Sequence, residues 1–516
     1  MNDKLQNLIK DGFKKFNLGQ IEKSKSLFKE VLNLQDDNFD ALQALGVIYG
    51  QQNNHSLSSN YFLKAIKLRP EDFIVNKNLA NSLLEIGKFE ESIFYLNNAL
   101  KINSKQSSLW CSKGIALKEL KKYQDAEKHL IEAITLDNSN EVSYFHLGAL
   151  YRTIKKYDDG IKIFHMALKV FQSPVILETI YTNLSNLYLD KKNSKFGDDY
   201  SLVAEYSKKA LSINPNNYIA LTNFAMSNLF EFNYDVATEI LEKVIISNPN
   251  FAPAQRNLGA LYNHLGNHSL AEKYIKSALI LEPNDNTKKF ILAEVLLSQN
   301  KFSEAWEFYE YRWVDTGDQI PQIRPNFTKP LWDPSVGYNH NIAIYAEQGL
   351  GDMILFSSIL PELVSKFDKI FLLIDKRLCQ IMNESIPGIE VIDFSKPITE
   401  DFFDYQLPLC SLGRYFRKEI TNFKVEKPLL KINNKLKLQK KKKYRCGVSW
   451  KSKGGLKSEK KNIGINFLHD IFKLDNIEFF DIQYTEDDDD NIKFKEQNNI
   501  NFEKPKNLDT YNDIYG

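Results

Sequence analysis

The chain has 516 residues, 43% of them hydrophobic, and its 67 Lys and Arg nearly balance its 66 Asp and Glu. This length predicts two or three domains, and a net charge of +1 argues against a nucleic-acid partner. No N-terminal signal peptide and no apolar run of about 20 residues is present, which excludes a membrane span by this criterion. The four cysteines are widely spaced, which argues against a metal site and a disulfide scaffold. We therefore expect a cytoplasmic protein.

The first three-fifths of the chain repeat with a period of 34 residues, which is the tetratricopeptide period. Small residues recur in the first helix of each predicted pair, and the two steps that flank Ser185 are longer than the others. These small residues are Gly12, Gly46, Ala80, Gly114, Gly148, Ser185, Ala225, Gly259 and Ala293. A small residue allows two helices to cross closely, and one helix pair cannot bury its apolar face without a neighbour. The pattern predicts a superhelix of about nine tetratricopeptide repeats over residues 5–313.

Repeat arrays of this kind bind extended peptides or helices on their concave face, so we expect a polypeptide partner. Four asparagines recur near the polar side of the first helices: Asn78, Asn183, Asn223 and Asn257. A carboxamide offers a donor and an acceptor, so these side chains are candidates for binding the main chain of a peptide. The alternative is that they are solvated or cap neighbouring helices.

After the repeats the pattern changes. Residues 314–340 are rich in proline and predict an extended connector, in which Trp332 is the expected anchor. Short apolar strands then alternate with helices, beginning with a strand at residues 341–346 and a helix at residues 353–367. This alternation predicts an α/β layer with a parallel sheet, so the fold class is all-α repeats followed by a Rossmann-like α/β module.

The segment Glu-Gln-Gly-Leu-Gly-Asp, residues 347–352, lies between the first of these strands and its helix. Ligands of α/β folds bind at the carboxyl ends of strands, and free N–H groups at a helix start attract anions. Gly349 and Gly351 would let the backbone approach a phosphate closely. The segment matches neither the dinucleotide fingerprint nor a P-loop.

Residues from about Tyr311 onward resemble bacterial tetratricopeptide-repeat proteins with a glycosyltransferase-like region similar to ADP-heptose lipopolysaccharide heptosyltransferases. The resemblance rests on the aromatic segment at 306–313, Pro-Leu-Trp-Asp at 330–333, the glycine segment at 347–352, and the segments at 407–412 and 447–450. It implies two Rossmann domains. The first would span residues 341–432, a lysine-rich linker residues 433–443, and part of a second, donor-binding domain residues 444–516.

The resemblance also implies roles for individual residues. Asp352 matches a candidate general base, which would take the proton from an acceptor hydroxyl; the alternative is that Asp352 caps the following helix. Lys453, Lys457 and Lys461 fall in a loop that contacts donor phosphate in the relatives; the alternative is a solvated lysine loop. The donor would be a nucleotide-sugar, with no further cofactor.

The relatives continue well past the segment that matches the end of this chain, so we expect a second domain that is incomplete and a chain that is inactive alone. The leading hypothesis is a repeat array that presents a polypeptide or glycan acceptor to a glycosyltransferase module. The sequence leaves open whether transfer is inverting or retaining. The alternative is a non-enzymatic scaffold whose α/β part is only a stabilising cap.

Overall fold

The computed structural model describes residues 2–192, 200–313, 325–423, 429–430, 444–449, 465–474, 476–482, 492–493 and 495–496. A long run of helices in a tetratricopeptide-like array comes first, and a small parallel sheet with helices follows it. The predicted fold class is therefore confirmed.

The array consists of consecutive antiparallel helix pairs joined by short turns. Its helices are α1 (Asn2–Asn17), α2 (Ile21–Leu34), α3 (Phe39–Gln51), α4 (His55–Leu68), α5 (Phe73–Glu85), α6 (Phe89–Ile102), α7 (Ser107–Glu119), α8 (Tyr123–Leu136), α9 (Glu141–Thr153), α10 (Tyr157–Val170), α11 (Pro174–Lys192), α12 (Ser201–Ile213), α13 (Tyr218–Phe230), α14 (Tyr234–Ser247), α15 (Ala252–His264), α16 (His268–Leu281), α17 (Asn286–Ser298) and α18 (Phe302–Tyr309). The extra residues before Ser185 lengthen α11, which has 19 residues where α9 has 13.

Local sequence signals explain these helices. Several first helices begin with a side-chain cap; for example, Asp72 accepts a hydrogen bond of 2.8 Å from the Val75 N–H at the start of α5. The small positions lie where paired helices cross. At Gly259 of α15, an added Cβ would come within 2.7 Å of the Ile275 side chain of α16, so a side chain there would force Ile275 to move.

The chain forms two compact units. The first contains α1 to α13, and the second contains α14 to α18 together with the α/β module. The largest apolar cluster of the first unit is built by α7 to α12, around buried residues such as Leu130, Leu147 and Phe164. In the second unit Ile275, Leu292, Leu296 and Ala305 form the apolar core of the last helix pairs.

The α/β module has a four-stranded parallel sheet with the order β3-β2-β1-β4. The strands are β1 (Asn341–Tyr345), β2 (Lys369–Ile374), β3 (Ile389–Asp393) and β4 (Tyr405–Pro408), and the helices are α19 (Leu350–Ser357), α20 (Lys376–Ser385) and α21 (Leu412–Phe416). Apolar side chains cover both faces of the sheet, as its nearly uninterrupted apolar strands require. Trp332, from the connector, is buried against Tyr338, Phe367 and Tyr415.

A further parallel pair joins β5 (Tyr444–Val448) to β6 (Ile477–Asp481), with the short helix α22 (His469–Phe472) between them in sequence. The alternation of strands and helices predicted from the sequence is therefore present, and β1 ends at Tyr345, one residue before its predicted limit. The helix predicted for residues 353–367 was wrong in its limits, since α19 begins at Leu350 and ends at Ser357. A 3-10 turn at Leu360–Glu362 follows, because Pro361 cannot continue an α-helix.

Candidate functional site

The first candidate site is the edge of the sheet where β1 and β4 end. The chain runs from β1 to β2 and β3 on one side and then returns to β4 on the other side of β1, so this edge is a topological switch point. Ligands of open α/β sheets bind in the crevice at such a point. The segment of residues 347–352 lies there, because it connects β1 to α19.

Asp352 lies in the first turn of α19, and its side chain is exposed. The residue that caps this helix is Gly349, whose backbone is extended (φ −65°, ψ 163°). The alternative in which Asp352 is the N-cap is therefore wrong, because the helix begins before it, at Leu350. A carboxylate in a first helical turn still interacts favourably with the helix dipole.

Packing within the protein does not require either glycine of this segment. A Cβ added to Gly351 would meet no atom within 4 Å, and one added to Gly349 would meet only an Asp352 carboxylate oxygen at 3.5 Å. The space in front of the backbone is thus open to another molecule. A role of Gly349 and Gly351 in binding phosphate stays a prediction.

A buried charged cluster lies directly behind this segment. Arg312, from the 3-10 turn Glu310–Trp313 after α18, donates from Nη2 to Glu347 Oε1 (2.8 Å) and to Ser411 Oγ (2.8 Å). Its Nη1 donates to Glu310 Oε1 at 3.1 Å, and the Cys410 N–H donates to Glu347 Oε1 at 3.2 Å. The side chains of Arg312 and Glu347 are both fully buried. The cluster ties the end of the last repeat to the ends of β1 and β4.

The electrostatics of the cluster follow from its burial. Loss of hydration raises the pKa of Glu347, and the attraction of Arg312 opposes this shift without cancelling it. Burial likewise raises the pKa of the Cys410 thiol, and the neighbouring Glu347 raises it further. Glu347 Oε2 is buried, and no hydrogen-bond partner reaches it within the described part of the chain. Buried polar atoms are normally hydrogen-bonded, so Glu347 Oε2 is able to accept one further hydrogen bond.

This cluster was missed by reasoning from the sequence alone. Arg312 and Glu347 are 35 residues apart, and Arg312 and Ser411 are 99 apart, so no spacing rule connects them. One sequence feature could have indicated the pair: Arg312 and Glu347 are single charged residues that stand beside buried apolar segments.

The predicted donor-binding lysines Lys453, Lys457 and Lys461 lie outside the described residues, as does the lysine-rich linker at residues 433–443. Their assignment to donor phosphate stays a prediction.

The structure places the four predicted peptide-binding asparagines in different surroundings. Asn223 is buried, and its Nδ2 donates to Ser185 Oγ (2.8 Å) and Asn186 Oδ1 (2.7 Å). Asn257 is also buried and accepts from Arg256, while Asn183 donates to the Thr179 carbonyl of its own helix. Asn78 is half-buried. Of the four, Asn183, Asn223 and Asn257 therefore already make hydrogen bonds within the protein, and peptide binding by any of them stays a prediction.

Comparison with known proteins supports the repeats. A family model described as tetratricopeptide repeat matches residues 39–72, 78–106 and 107–140. The protein FlbA of Caulobacter vibrioides is 27% identical over 106 residues, which are 20% of this chain and 17% of FlbA. The chain thus matches less than a fifth of the length of that relative.

Solved structures of repeat proteins are similar to parts of the chain. MamA from Desulfovibrio magneticus RS-1 is 17% identical, with 33% of this chain and 95% of MamA covered and a TM-score of 0.32. PilF of Pseudomonas aeruginosa is 17% identical, with 42% of this chain and 96% of PilF covered and a TM-score of 0.33. A chain of the Cut9–Hcn1 hetero-tetramer of APC/C is 16% identical, with 56% of this chain and 55% of that chain covered and a TM-score of 0.38. Likeness at this level says nothing about function.

Among the described residues, no helix has the length and apolar character needed to cross a bilayer. The matched repeats and the fold together show that the chain carries tetratricopeptide repeats, a protein-binding scaffold, followed by a small parallel α/β module.

Proposed function

We propose that the repeat array binds a polypeptide and that the α/β module transfers a sugar from a nucleotide-sugar to a protein or glycan acceptor. One observation supports the transfer part above the others. The exposed carboxylate of Asp352 stands in the first turn of α19, beside the switch point between β1 and β4. This is the part of an α/β sheet at which ligands bind.

In the proposed reaction, Asp352 takes the proton of an acceptor hydroxyl. The hydroxyl oxygen forms a bond to the anomeric carbon of the donor, the bond from that carbon to the diphosphate breaks, and a nucleoside diphosphate leaves. A general base of this kind contributes about 10²–10⁴-fold to the rate. The N–H groups at the start of α19 would favour an anionic group nearby.

A second candidate is a non-enzymatic scaffold in which the α/β module caps the last repeat. The buried Arg312–Glu347 pair favours it, since it links the end of the array to the sheet at the very edge where a ligand would bind. Residues used for such a link serve stability whether or not a ligand is bound.

The transfer proposal is tested with Asp352→Asn. The assay uses a form of the protein extended at its C-terminus with the corresponding residues of a transferase of the resembled group, hereafter the extended form. Release of nucleoside diphosphate from the nucleotide-sugar is measured. We expect turnover to fall by about 10²-fold or more while the fold is retained, because asparagine has the same shape but accepts no proton at neutral pH.

A matched control is Asp368→Asn, which changes an exposed aspartate directly before β2, at the opposite edge of the sheet. We expect its turnover to stay near that of the native protein. If Asp352→Asn keeps more than about a tenth of native turnover, Asp352 is not a general base. If Asp352 has only a structural role, Asp352→Asn should lower the free energy of unfolding by only about 0.3–1 kcal/mol, because the interaction with the dipole of α19 is weaker.

We also propose a cytoplasmic location. Cys111, Cys379, Cys410 and Cys446 are all free thiols in the structure. Disulfides are rare in the reducing cytoplasm and common in secreted proteins. Fractionation of cells that express the protein would test this location.

A further inference from the structure

A groove of about 500 Å³ lies between α6 and α7, in the first compact unit. Its walls include the aromatic side chains of Phe94 and Trp110, the carboxamides of Asn97 and Asn98, and the ammonium groups of Lys101 and Lys113. Phe94 is 59% exposed, so its ring is accessible to a partner. The groove thus combines apolar, amide and cationic surface.

Lys113 is the distinctive residue of this groove. From α3 to α17, the residue directly before the small position of each first helix is large and apolar in every repeat except this one. The apolar residues are Leu45, Leu79, Leu147, Leu184, Phe224, Leu258 and Leu292. Each of these six leucines is at most 1% exposed. A half-buried lysine therefore occupies a position that is large and apolar in the other repeats.

The surroundings of Lys113 leave its charge poorly compensated. Its Nζ lies 5.6 Å from the centre of the Trp110 ring, on its face, and burial lowers the pKa of Lys113. The acidic group that attracts it is Asp125, an exposed residue of α8 that also lies 3.9 Å from Lys128. His129, on the same helix, packs against Trp110, with the ring centres 5.3 Å apart. Lys101 adds a second positive charge to the groove, and none of the described residues that line the groove carries a carboxylate.

We propose that this groove binds an acidic, apolar segment of a partner polypeptide, with a carboxylate beside Lys113 and Lys101 and an apolar side chain against Phe94 and Trp110. The charge of the groove and its exposed aromatic surface select such a segment over a basic one. The exposed Asn97 carboxamide is placed to bind the peptide main chain. This inference rests on the polypeptide-binding part of the proposed function and is independent of sugar transfer.

The test uses a short fluorescein-labelled peptide of alternating aspartate and leucine, and fluorescence anisotropy with the full chain. We expect saturable binding that weakens as salt rises. A peptide with asparagine in place of aspartate should bind the native protein about tenfold more weakly. The acidic peptide should bind the Lys113→Leu variant about tenfold more weakly than it binds the native protein. Loss of one charge-assisted contact has this size.

Lys113→Leu restores the residue type of the other repeats, so we expect its unfolding temperature to be at least that of the native protein. Phe94→Ala, at an exposed position, should weaken the binding of both peptides. Lys64→Leu removes an exposed lysine of α4, outside the groove, and should change nothing. The proposal is overturned if the acidic peptide fails to bind, if Lys113→Leu binds it as tightly as the native protein, or if the asparagine peptide binds equally well. Binding that is insensitive to Lys113 would place the peptide elsewhere on the array, and donor binding by the α/β module would be unaffected by any of these results.

Discussion

Arg312 joins the last repeat to the sheet through its buried ion pair with Glu347. Replacing it with methionine would leave the Glu347 carboxyl buried without its partner, since both side chains are fully buried. Removal of one member of a buried pair costs about 3–5 kcal/mol. We therefore expect Arg312→Met to lower the free energy of unfolding of the second unit by this amount, as measured by chemical denaturation.

Two comparisons make this prediction specific. Arg414→Met breaks the exposed pair with Glu307 (2.7 Å), and we expect it to cost at most about 1 kcal/mol. The double variant Arg312→Met with Glu347→Leu should recover most of the loss, because it leaves no buried charge. Equal effects of Arg312→Met and Arg414→Met would show that the buried pair does not support the junction.

At this scale, the sequence predicted the residues whose role is local or periodic. The small residues recur every 34 positions, so Gly148 and Gly259 were identified without a structure. The Arg312–Glu347 pair was missed because its members meet only when the chain has folded. Asp352 was identified, but whether it caps the helix depended on the conformation of Gly349, three residues earlier, which the pattern does not determine.

For the helix pair, close crossing is the property that the glycines serve. A side chain at Gly148 of α9 would collide with the ring of Phe164 on α10, and one at Gly259 with Ile275. We expect Gly148→Leu and Gly259→Leu each to lower the free energy of unfolding by at least about 1–3 kcal/mol, the usual cost of overpacking. Thr153→Leu, at an exposed position of α9, is the control and should lie within about 0.5 kcal/mol of the native protein. Unchanged melting of both glycine variants would mean that the repeat register is wrong.

The last three helices of the array are joined by Glu272 of α16. It accepts hydrogen bonds from Lys276 (2.8 Å), from Lys301 at the start of α18 (2.5 Å) and from Gln299 at the end of α17 (2.9 Å). Partial burial works to raise its pKa, but these hydrogen bonds lower the pKa of Glu272 from 4.5 to about 2. A lowered pKa in the folded state means that the stabilisation is complete above pH 4.5 and is lost as the pH falls towards 2.

We therefore expect acid to weaken this part of the protein by about 2–3 kcal/mol through Glu272. The measurement is denaturant unfolding at a series of pH values for the native protein and for Glu272→Gln, which has no proton to gain at this position. The two curves should converge at low pH and separate above pH 4.5. A constant difference across the whole range would contradict the assignment.

At the scale of elements, the sequence predicted a parallel sheet, because apolar strands alternate with helices, but it did not predict the order in which the strands pair. It did not give the limits of α19. Pro361 ends helical structure early, and the segment after it folds as a 3-10 turn that packs Leu360 into the core. The length of an apolar-periodic stretch therefore overestimated the length of the helix.

For the whole molecule, the repeat period showed a continuous series of helix pairs and gave no sign that the chain divides after α13 into two compact units. The small residues stay close to phase across this division, at Ala225 and Gly259, since they report packing within a pair. Division into units depends on contacts between pairs, for which the period carries no signal. The Lys113 groove is the opposite case, because comparison of the repeats position by position is sufficient to find the exceptional lysine.

The central claim is that the α/β module belongs to a sugar-transferring protein. Its most direct test is calorimetric titration of UDP-, GDP- and ADP-sugars into the extended form, and into the 516-residue chain in parallel. We expect saturable binding of one donor class by the extended form, with an affinity that Asp352→Asn leaves unchanged, because a general base acts on the acceptor. Absence of binding to all three donors would contradict the claim and would leave the protein as a polypeptide-binding scaffold whose α/β module caps the last repeat.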